Sequence, residues 1–470
     1  MGPWLAIVAI SCGNAGASTQ GHDPVPLDLV PITDINPAHD VVEIDLIAAP
    51  GRTRFGSHGT TNIWGYADGT REPAEPVVPG PLIEANQGDT VIVHFENRLS
   101  EGTTIHWHGV RVPNAMDGAH VTQHEIPPGG TFDYTFVAVD AGTFWYHPHV
   151  RSDMQIERGL AGVLIVHGGV DVPVDADRTF VLDDVKLSDD GELSETTDAS
   201  DLMLGRQGNV VLANGRSGGQ VEVRNGARER WRFVNAANGR YFNLRLPERT
   251  FTVIGWDGGL LVEPYSAQSV LIAPGERYEV LVELTGAPGE TIPVETLYYF
   301  RAHGLPYADP EPVFSVKISG EAPPAEPLPA AWGNAEPVPT DANTPVRAIE
   351  LSEREPVEAG ESPAFFINGR AFPEVPTIAA TSGAIEIWEF HNMSEMDHPM
   401  HLHGMFFQVL ESEGAPPLAK GWKDTVNVKS HADVRVAVRF GEAGRWMYHC
   451  HILEHAERGM MAELSLSEGP

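Results

Sequence analysis

Histidines separated by a single residue occur four times in this 470-residue chain, and their spacing suits metal binding. In a β-strand, side chains two positions apart point to the same face, so each His-x-His pair offers two imidazoles on one side. Imidazole is a common ligand of transition metals, and four such pairs are enough for several ions. The pairs are His106/His108, His147/His149, His401/His403 and His449/His451.

A second candidate site comes from Cys450, which lies between the histidines of the last pair in "YHCHILEHAERGMM". Strand alternation turns its thiol away from both neighbours, so one strand serves two sites on opposite faces. His455 and Met460 follow Cys450 by five and ten residues, and His398 precedes His401 by three. Two imidazoles, a thiolate and a weak axial thioether describe a blue-copper electron-transfer site. The peptide bonds around Cys450 would connect this site to the histidine cluster.

The segments that carry these residues read as short β-strands. "TVIVHFEN", "ERWRFVN", "AIEIWEFHN" and "VRVAVRF" alternate apolar and polar residues with period two, and no long apolar stripe at helical spacing occurs. The 48 glycines and 38 prolines favour turns between short strands. This pattern predicts an all-β fold of sandwiches or barrels.

Three segments share one spacing, which predicts an internal repeat. They begin at Gly88, Gly226 and Gly383, and each has Phe seven and Asn nine residues after the glycine. Nine and eleven residues after that Asn, the outer copies carry a His-x-His pair, whereas the middle copy carries Leu244 and Leu246. We infer that the outer units share a metal site and that the middle unit holds them apart.

The motifs "HWHG", "YHPH", "HPMHLHG" and "HCHILEHAERGMM" resemble the four copper signatures of the multicopper oxidases, and the resemblance extends over residues 40–465. It implies three consecutive cupredoxin-like Greek-key β-sandwich or barrel domains and four copper ions: one type 1, one type 2 and a type 3 pair. The matching motif positions imply the ligands. Type 1 copper would take His398, Cys450 and His455 with Met460 axial, type 2 copper would take His106 and His401, and the type 3 pair would take His108, His147 and His451 on one ion and His149, His403 and His449 on the other.

The same resemblance and the composition together predict the domain boundaries. A leader would occupy 1–23, a first domain with cluster ligands 24–170, and a second domain without copper ligands 171–320. A Pro- and Ala-rich linker at 321–344 would precede a third domain at 345–470, which carries type 1 and cluster ligands.

Carboxylates are the remaining candidates, because reduction of O2 to water consumes protons. Asp117 stands nine residues after His108, where family members carry an acid near the type 2 copper, although "MDG" also suits a plain turn. Several bacterial relatives have Glu directly after the last type 1 histidine. Here that residue is Ala456, so Glu454 and Glu457 become the alternative proton carriers.

The formal charge of −34 argues against a nucleic-acid partner, whose phosphates need Lys and Arg. The leader "MGPWLAIVAISCGNAGASTQ" resembles a weak bacterial lipoprotein signal, with Cys12 as the lipid anchor, and a secretory signal or a misplaced start are the alternatives. We expect an exported, periplasmic or cell-envelope monomer, with an extracellular location as the alternative.

The function that these observations favour is a laccase-type oxidase. It would take single electrons from phenols or aromatic amines at type 1 copper and reduce O2 to water at the trinuclear cluster. One alternative is a cuprous oxidase in copper tolerance, although the Met-rich insert that such enzymes often carry is not visible. Met393, Met396, Met400 and Met405 lie near His398 and suit core packing as well as Cu(I) binding. The other alternative is a copper-free cupredoxin scaffold of the cell envelope, which would have lost ligands.

Overall fold

The computed structural model of the chain describes residues 26–56, 59–194, 198–302, 307–333, 335–355 and 361–469. The predicted leader at 1–23, with Cys12, lies outside these residues. Within them the strands form six sheets, arranged as three pairs along the chain.

The first pair of sheets contains strands β1 to β8 and shares one hydrophobic core. The strands are β1 (Val41–Thr53), β2 (Thr61–Asp68), β3 (Ile83–Asn86), β4 (Thr90–Asn97), β5 (His106–His108), β6 (Thr131–Val137), β7 (Gly142–His147) and β8 (Gly162–His167). The sheet orders are β2-β1-β4-β6 and β3-β8-β7-β5. A 3-10 turn, Asn114–Met116, and helix α1 (Ser152–Gln155) complete this part.

The second pair of sheets contains strands β9 to β19 around another core. The strands are β9 (Ala176–Val185), β10 (Val210–Ala213), β11 (Gly219–Asn225), β12 (Arg228–Asn235), β13 (Phe242–Arg245), β14 (Phe251–Trp256), β15 (Gly259–Ala267), β16 (Ser269–Ile272), β17 (Arg277–Glu283), β18 (Thr291–Leu297) and β19 (Glu311–Glu321). The sheet orders are β10-β9-β12-β17-β14-β15 and β11-β19-β18-β13-β16. Helix α2 (Ala199–Leu204) begins with a capping box, in which the Asp198 and Asp201 side chains each accept from the other's backbone N–H.

The third pair of sheets contains strands β20 to β29. These are β20 (Val346–Arg354), β21 (Ala364–Ile367), β22 (Ile378–Thr381), β23 (Ile385–Asn392), β24 (His398–Leu402), β25 (Phe407–Ser412), β26 (Thr425–Val428), β27 (Asp433–Arg439), β28 (Gly444–Cys450) and β29 (Met461–Ser467). The sheet orders are β21-β20-β23-β27-β25 and β22-β29-β28-β24-β26. Helix α3 (Leu453–Glu457) follows β28 directly, so it lies next to Cys450.

Each pair of sheets repeats one topology. The strand that opens each pair runs parallel to a later strand, as β1 with β4, β9 with β12 and β20 with β23. In the other sheet of each pair, β3 with β8, β11 with β19 and β22 with β29 are also parallel, and the remaining neighbours run antiparallel. The all-β prediction is confirmed, whereas the exact domain boundaries stay predictions.

The asparagine of the predicted repeat has the same contacts in all three copies. The Nδ2 of Asn97, Asn235 and Asn392 donates to a backbone carbonyl four or five residues later and to a second backbone carbonyl that is distant in sequence, each at 2.8–3.0 Å. Its Oδ1 accepts the backbone N–H two residues later. Each asparagine therefore fixes the loop that leads to the matched strand β5, β13 or β24. In the middle copy, Leu244 and Leu246 are buried in the core at the positions where the outer copies carry histidines.

Among the described residues, no helix has the length and apolar character that a membrane crossing would need.

Candidate metal centres

Strand pairing brings the His-x-His pairs together within each outer part of the chain. His106 on β5 lies opposite His147 on β7, and His401 on β24 lies opposite His449 on β28. The strands are short because each ends where its ligands leave the sheet. Two pairs from each part thus reach the boundary between the first and third pairs of sheets.

Across this boundary the imidazoles stack. The His106 ring lies 3.8 Å from the His403 ring, and the His108 ring lies 3.7 Å from the His401 ring, measured between centroids. The first histidine of each pair therefore stacks on the second histidine of the pair from the other domain. This arrangement makes one cluster from two strands that lie almost 300 residues apart in the sequence.

The ring nitrogens of the cluster approach one another closely enough to share ions. His403 Nε2 lies 3.0 Å from His449 Nε2, which lies 3.4 Å from His149 Nε2. Ligand atoms within 4.8 Å of one another form the groups His149/His403/His449, His106/His108/His147 and His106/His401/His403. The first group is the set that the sequence predicted for one type 3 ion. His451 is buried beside His108 and His147, with ring centroids 4.9 and 5.6 Å away.

Several nitrogens of the cluster are buried and have no hydrogen-bond partner among the residues that the structure describes. These are His106 Nε2, His108 Nδ1, His147 Nε2, His401 Nε2 and both ring nitrogens of His451. A buried polar atom normally has a partner, so this concentration of free lone pairs fits metal ions. Burial lowers the pKa of His449 to about 3 and holds those of His108 and His147 well below the ordinary value. The rings are therefore neutral, which is the form that binds metal.

The other nitrogen of most cluster histidines is bonded to protein oxygen. His106, His147, His401 and His449 each donate from Nδ1–H to a backbone oxygen at 2.8–3.0 Å. The acceptors are the backbone oxygens of Asp117, Pro148, Asp424 and Cys450, in that order. Such bonds fix the tautomer and the ring orientation, so that Nε2 keeps its lone pair for an ion. The donor set therefore fits the copper ions that the sequence resemblance implies.

Asp117 is buried and accepts hydrogen bonds from the cluster. Its Oδ2 accepts from His403 Nδ1 at 2.9 Å, and its Oδ1 lies 3.4 Å from His106 Nδ1. Burial alone would raise the pKa of this carboxyl, but the two imidazoles outweigh burial and hold the pKa below its ordinary range. Asp117 is thus an ionised acceptor that orients His403.

Sequence reasoning missed Asp424, which plays the matching part on the other side of the cluster. Its Oδ1 lies 3.2 Å from His108 Nε2, and both of its oxygens accept from Arg277, at 2.7 and 2.6 Å. Burial would raise the pKa of Asp424, but Arg277 holds it well below the ordinary value. Arg277 belongs to β17, so the part without copper ligands supports the cluster directly. The only sequence signal was a charged pair, Lys423 and Asp424, directly before the alternating segment "TVNV".

A separate group lies on the other face of β28. Cys450 Sγ is 3.6 Å from His398 Nδ1 and 3.7 Å from His455 Nδ1, and these two nitrogens are 3.3 Å apart. All three side chains are buried. The alternation predicted for Cys450 and its neighbours is seen here, since the flanking histidines belong to the cluster.

Second contacts orient the imidazoles of this group as well. His398 Nε2 is 2.8 Å from Ser394 Oγ, and His455 Nε2 is 3.1 Å from the Met203 backbone oxygen. The Phe365 ring stacks on His455 with centroids 3.9 Å apart. Both Nδ1 atoms therefore face the thiol. Burial lowers the pKa of His398 to about 3, so its ring is neutral.

The remaining predicted residues lie close by, on α3 and directly before β29. Met460 is buried, and its backbone oxygen accepts from the Cys450 N–H at 3.0 Å. Glu454 is buried, and burial raises the pKa of this carboxyl to about 7. Glu457 is exposed, and its Oε1 accepts from the Ser152 N–H at 2.7 Å. Ala456 is buried, so an acid at that position would be a buried one.

Comparison with known proteins accounts for this combination of fold and donors. Family models described as multicopper oxidase match residues 74–170, 182–306 and 344–469. A multicopper oxidase of Staphylococcus epidermidis is 30% identical over 90% of this chain and 88% of its own length. The chain belongs to the multicopper oxidases.

Solved structures of other multicopper oxidases have the same architecture. A metallo-oxidase from Campylobacter jejuni superimposes with a TM-score of 0.83 at 27% identity, over 94% of each chain. A laccase-like enzyme from Ochrobactrum sp., described as acting on lignin model compounds and lignosulfonate, gives a TM-score of 0.79 at 28% identity, over 94% of this chain and 100% of its own. This multicopper oxidase therefore has three cupredoxin-like domains and is a copper-dependent oxidoreductase with O2 as acceptor.

Proposed function

We propose that this multicopper oxidase is a laccase-type enzyme, which takes single electrons from phenols or aromatic amines. The observation that supports this donor class is the burial of methionines near His398. Met396, Met400 and Met405 are buried in the core, and only Met393 of this group is exposed, at 62%. A site that collects Cu(I) needs several accessible thioethers, because soft sulfur ligands select that ion. A single exposed methionine does not make such a site.

Aromatic side chains are exposed in the segment beside the predicted type 1 site. Ala302 pairs with Met396, two residues before His398, and Phe300 and Tyr307 on either side of it are 57% and 71% exposed. Aromatic surface of this kind suits stacking of an aromatic donor. Ionic Cu(I) gains nothing from such a surface except by cation–π contact.

The predicted ligands would hold four copper ions, three in the histidine cluster and one at Cys450, His398 and His455. Bound copper would supply the one-electron chemistry between donor and O2. The protein residues do the rest: burial keeps the imidazoles unprotonated, and carbonyl acceptors fix their tautomers. Cys450 and its two neighbours join both donor sets through a continuous run of covalent bonds.

Among the candidate acids, Glu454 is the best placed to hold a proton at neutral pH. Its Oε1 accepts from Asn238 Nδ2 at 2.8 Å, while its buried Oε2 has no partner in the described part of the chain. Burial raises the pKa of this carboxyl to about 7, so it can both take up and release a proton near neutral pH, and the unpartnered Oε2 is available to hold that proton. Asp117, which is ionised, is better suited to orientation than to proton donation.

Two alternatives remain to be separated by experiment. The Campylobacter jejuni neighbour is a metallo-oxidase, so the fold itself accepts metal-ion donors. A copper-free scaffold is disfavoured by the complete set of predicted ligands and by their unpartnered nitrogens. We further propose export as a monomer, for which fractionation of the native host and of a Cys12→Ser variant is the direct test.

The donor is tested by O2 uptake of copper-loaded protein with a methoxyphenol and with Cu(I) in parallel. We expect a higher kcat/KM for the phenol, and a Met393→Leu variant should leave it unchanged. The matched variant Met405→Leu changes a buried methionine and controls for packing. Faster uptake with Cu(I) that is lost in Met393→Leu but kept in Met405→Leu would establish the cuprous oxidase instead. Cys450→Ser should abolish both activities, and no O2 uptake from any donor by the wild type would support the scaffold.

A further inference from the structure

Arg301 lies in the wall of the predicted type 1 site. Its backbone oxygen accepts from the Asp397 N–H at 2.8 Å, and the next residue, Ala302, pairs with Met396. The segment that carries Arg301 therefore runs beside the residues that lead into His398. It comes from the end of the second pair of sheets, after β18.

The guanidinium of Arg301 is buried, and no carboxylate of the described residues is hydrogen-bonded to it. The residue is 1% exposed, and Nε, Nη1 and Nη2 have no hydrogen-bond partner within the described residues. The guanidinium lies over the Tyr241 ring, with Cζ 5.3 Å from the ring centroid. Arginine keeps its charge in proteins, so this is a fixed internal cation.

Other buried arginines of the chain are paired, which makes Arg301 unusual. Arg277 binds both oxygens of Asp424, and Arg232 binds Asp177 and Glu279. The acids nearest to Arg301 are engaged elsewhere: Asp397 accepts from Tyr299, Asn427 and Ser430, and Glu454 accepts from Asn238. An unpaired buried charge is costly, so its position calls for an explanation other than stability.

Packing places this charge beside the ligands of the site. The Tyr241 ring, over which the guanidinium lies, belongs to the same buried cluster as Met396 and Cys450. The Tyr241 hydroxyl donates to Asn427, which lies opposite Pro399, the residue after His398. Low local dielectric strengthens the effect of such a charge compared with one at the surface.

We propose that Arg301 raises the reduction potential of the type 1 copper. On reduction the site gains one electron and loses one unit of positive charge, so a fixed neighbouring cation favours the reduced state. As the predicted axial ligand, the thioether of Met460 would act in the opposite direction, because a thioether donor stabilises the oxidised ion. Arg301 would therefore extend the donor range towards phenols that are harder to oxidise. This inference rests on the copper site of the proposed function.

The test is an anaerobic titration of copper-loaded protein with ferrocyanide, in which the loss of the blue absorption reports reduction of the type 1 site. One electron passes from each ferrocyanide, which becomes ferricyanide, to the type 1 site, and no proton or group is transferred. In Arg301→Gln and Arg301→Leu we expect the equilibrium constant for reduction to fall at least about tenfold, which corresponds to ~59 mV for one electron. Arg232→Gln, which neutralises a buried but paired arginine, should keep the wild-type constant.

The outcomes separate this inference from the proposed function. A wild type without a blue band would overturn the copper site itself. A blue band with an unchanged equilibrium constant in either Arg301 variant would overturn the role of Arg301 alone. Urea unfolding of metal-free protein gives a second readout: Arg301→Leu should be at least as stable as the wild type, because an unpaired charge is removed. A clear loss of stability would show that the guanidinium has partners and would also contradict the inference.

Discussion

At the scale of single residues, the metal centres depend on which ring nitrogen carries the proton. Asp117 accepts from His403 Nδ1, and backbone oxygens accept from most other cluster histidines. Each acceptor leaves the opposite nitrogen free for an ion. Removing an acceptor therefore damages the site without removing a ligand.

Asp117→Asn tests this role. The amide oxygen of Asn is a weaker acceptor than a carboxylate oxygen, and the amide can also turn its NH2 group towards His403 Nδ1, so the tautomer of His403 is no longer fixed. We expect cluster copper affinity or O2 reduction to fall about 10–100-fold, while the blue band stays. Metal analysis measures the cluster copper, and anaerobic reduction followed by mixing with O2 measures the rate of O2 reduction. Asp140→Asn, a change at a surface ion pair of the same domain, is the control, and wild-type loading and reoxidation in Asp117→Asn would contradict the role.

Met460→Leu tests the predicted axial ligand. Loss of a weak donor to the oxidised ion should leave copper bound and raise the type 1 potential, opposite to the effect of Arg301→Gln. The ferrocyanide titration measures this change in the type 1 potential. Met461→Leu is the natural control, since Met461 begins β29 and lies next in sequence. A rise in Met461→Leu and none in Met460→Leu would move the axial assignment by one residue.

The clustering of the His-x-His pairs could be predicted from the sequence because side chains two positions apart in a strand point to the same face. The assignment of each histidine to a particular copper ion stays a prediction. His106 and His401 also occupy the same register of a repeated segment, and this shared register links two distant parts of the chain. Asp424 and Arg277 could not be predicted in this way. Their contact joins two domains, and neither residue has a spacing that would mark it.

At the scale of elements, the repeated asparagine controls the loop that enters each ligand strand. Asn392 donates to the backbone oxygens of Met396, Val428 and Lys429, and its Oδ1 accepts from Ser394, whose hydroxyl contacts His398. The loop between β23 and β24 is therefore held at several points. Its geometry sets the position of His398.

Asn392→Ala should lower the free energy of unfolding by about 2–4 kcal/mol, since buried carbonyls lose their donors, and should also weaken or shift the blue band. Asn235→Ala removes the equivalent bonds from the middle repeat, where no ligand follows. It should cost similar stability and leave the blue band unchanged. Urea unfolding and absorption spectra of both variants make the comparison. An equal loss of colour in the two would show that Asn392 acts through general stability only.

The strands could be predicted from period-two patterns and the repeat from its shared spacing, but the course of the loops between the strands could not be predicted. The segment from β18 to Ala302, which places Arg301 beside Asp397, carries no turn signature that would predict this contact. Such placements depend on how whole domains pack. Packing across a domain boundary leaves no local pattern in the sequence.

At the scale of the whole molecule, a buried ion-pair network in the second domain also contacts the first domain. Glu279 on β17 accepts from Thr143 on β7 at 2.6 Å and pairs with Arg232 and Arg230. Burial alone would raise the pKa of Glu279, but the two arginines lower it to about 2. Because this pKa lies below the ordinary value of 4.5, the pair stabilises the folded state above that pH and loses its effect as the pH falls towards 2.

This pKa difference corresponds to about 3 kcal/mol. Glu279→Gln should therefore destabilise the metal-free protein by roughly that amount at pH 7, and the difference from wild type should shrink between about pH 5 and pH 3. Urea unfolding at several pH values measures it. Glu283→Gln, which changes an exposed partner of Arg228, should have little effect at any pH. A difference that stays constant across the acidic range would contradict the assignment.

The distance in sequence between the two halves of the cluster has a consequence for biosynthesis. His108 contacts Asp424, 316 residues later, and stacks on His401. At about 5–20 residues per second, a ribosome that has made the first half needs about 15–60 s to make the second. During that interval the nascent chain holds four of the cluster histidines and lacks the four that complete the cluster. Both donor sets are complete only after the segment that carries "HCH" and His455 has been made. We therefore expect free copper around the nascent chain to bind the first four histidines too early and to compete with folding.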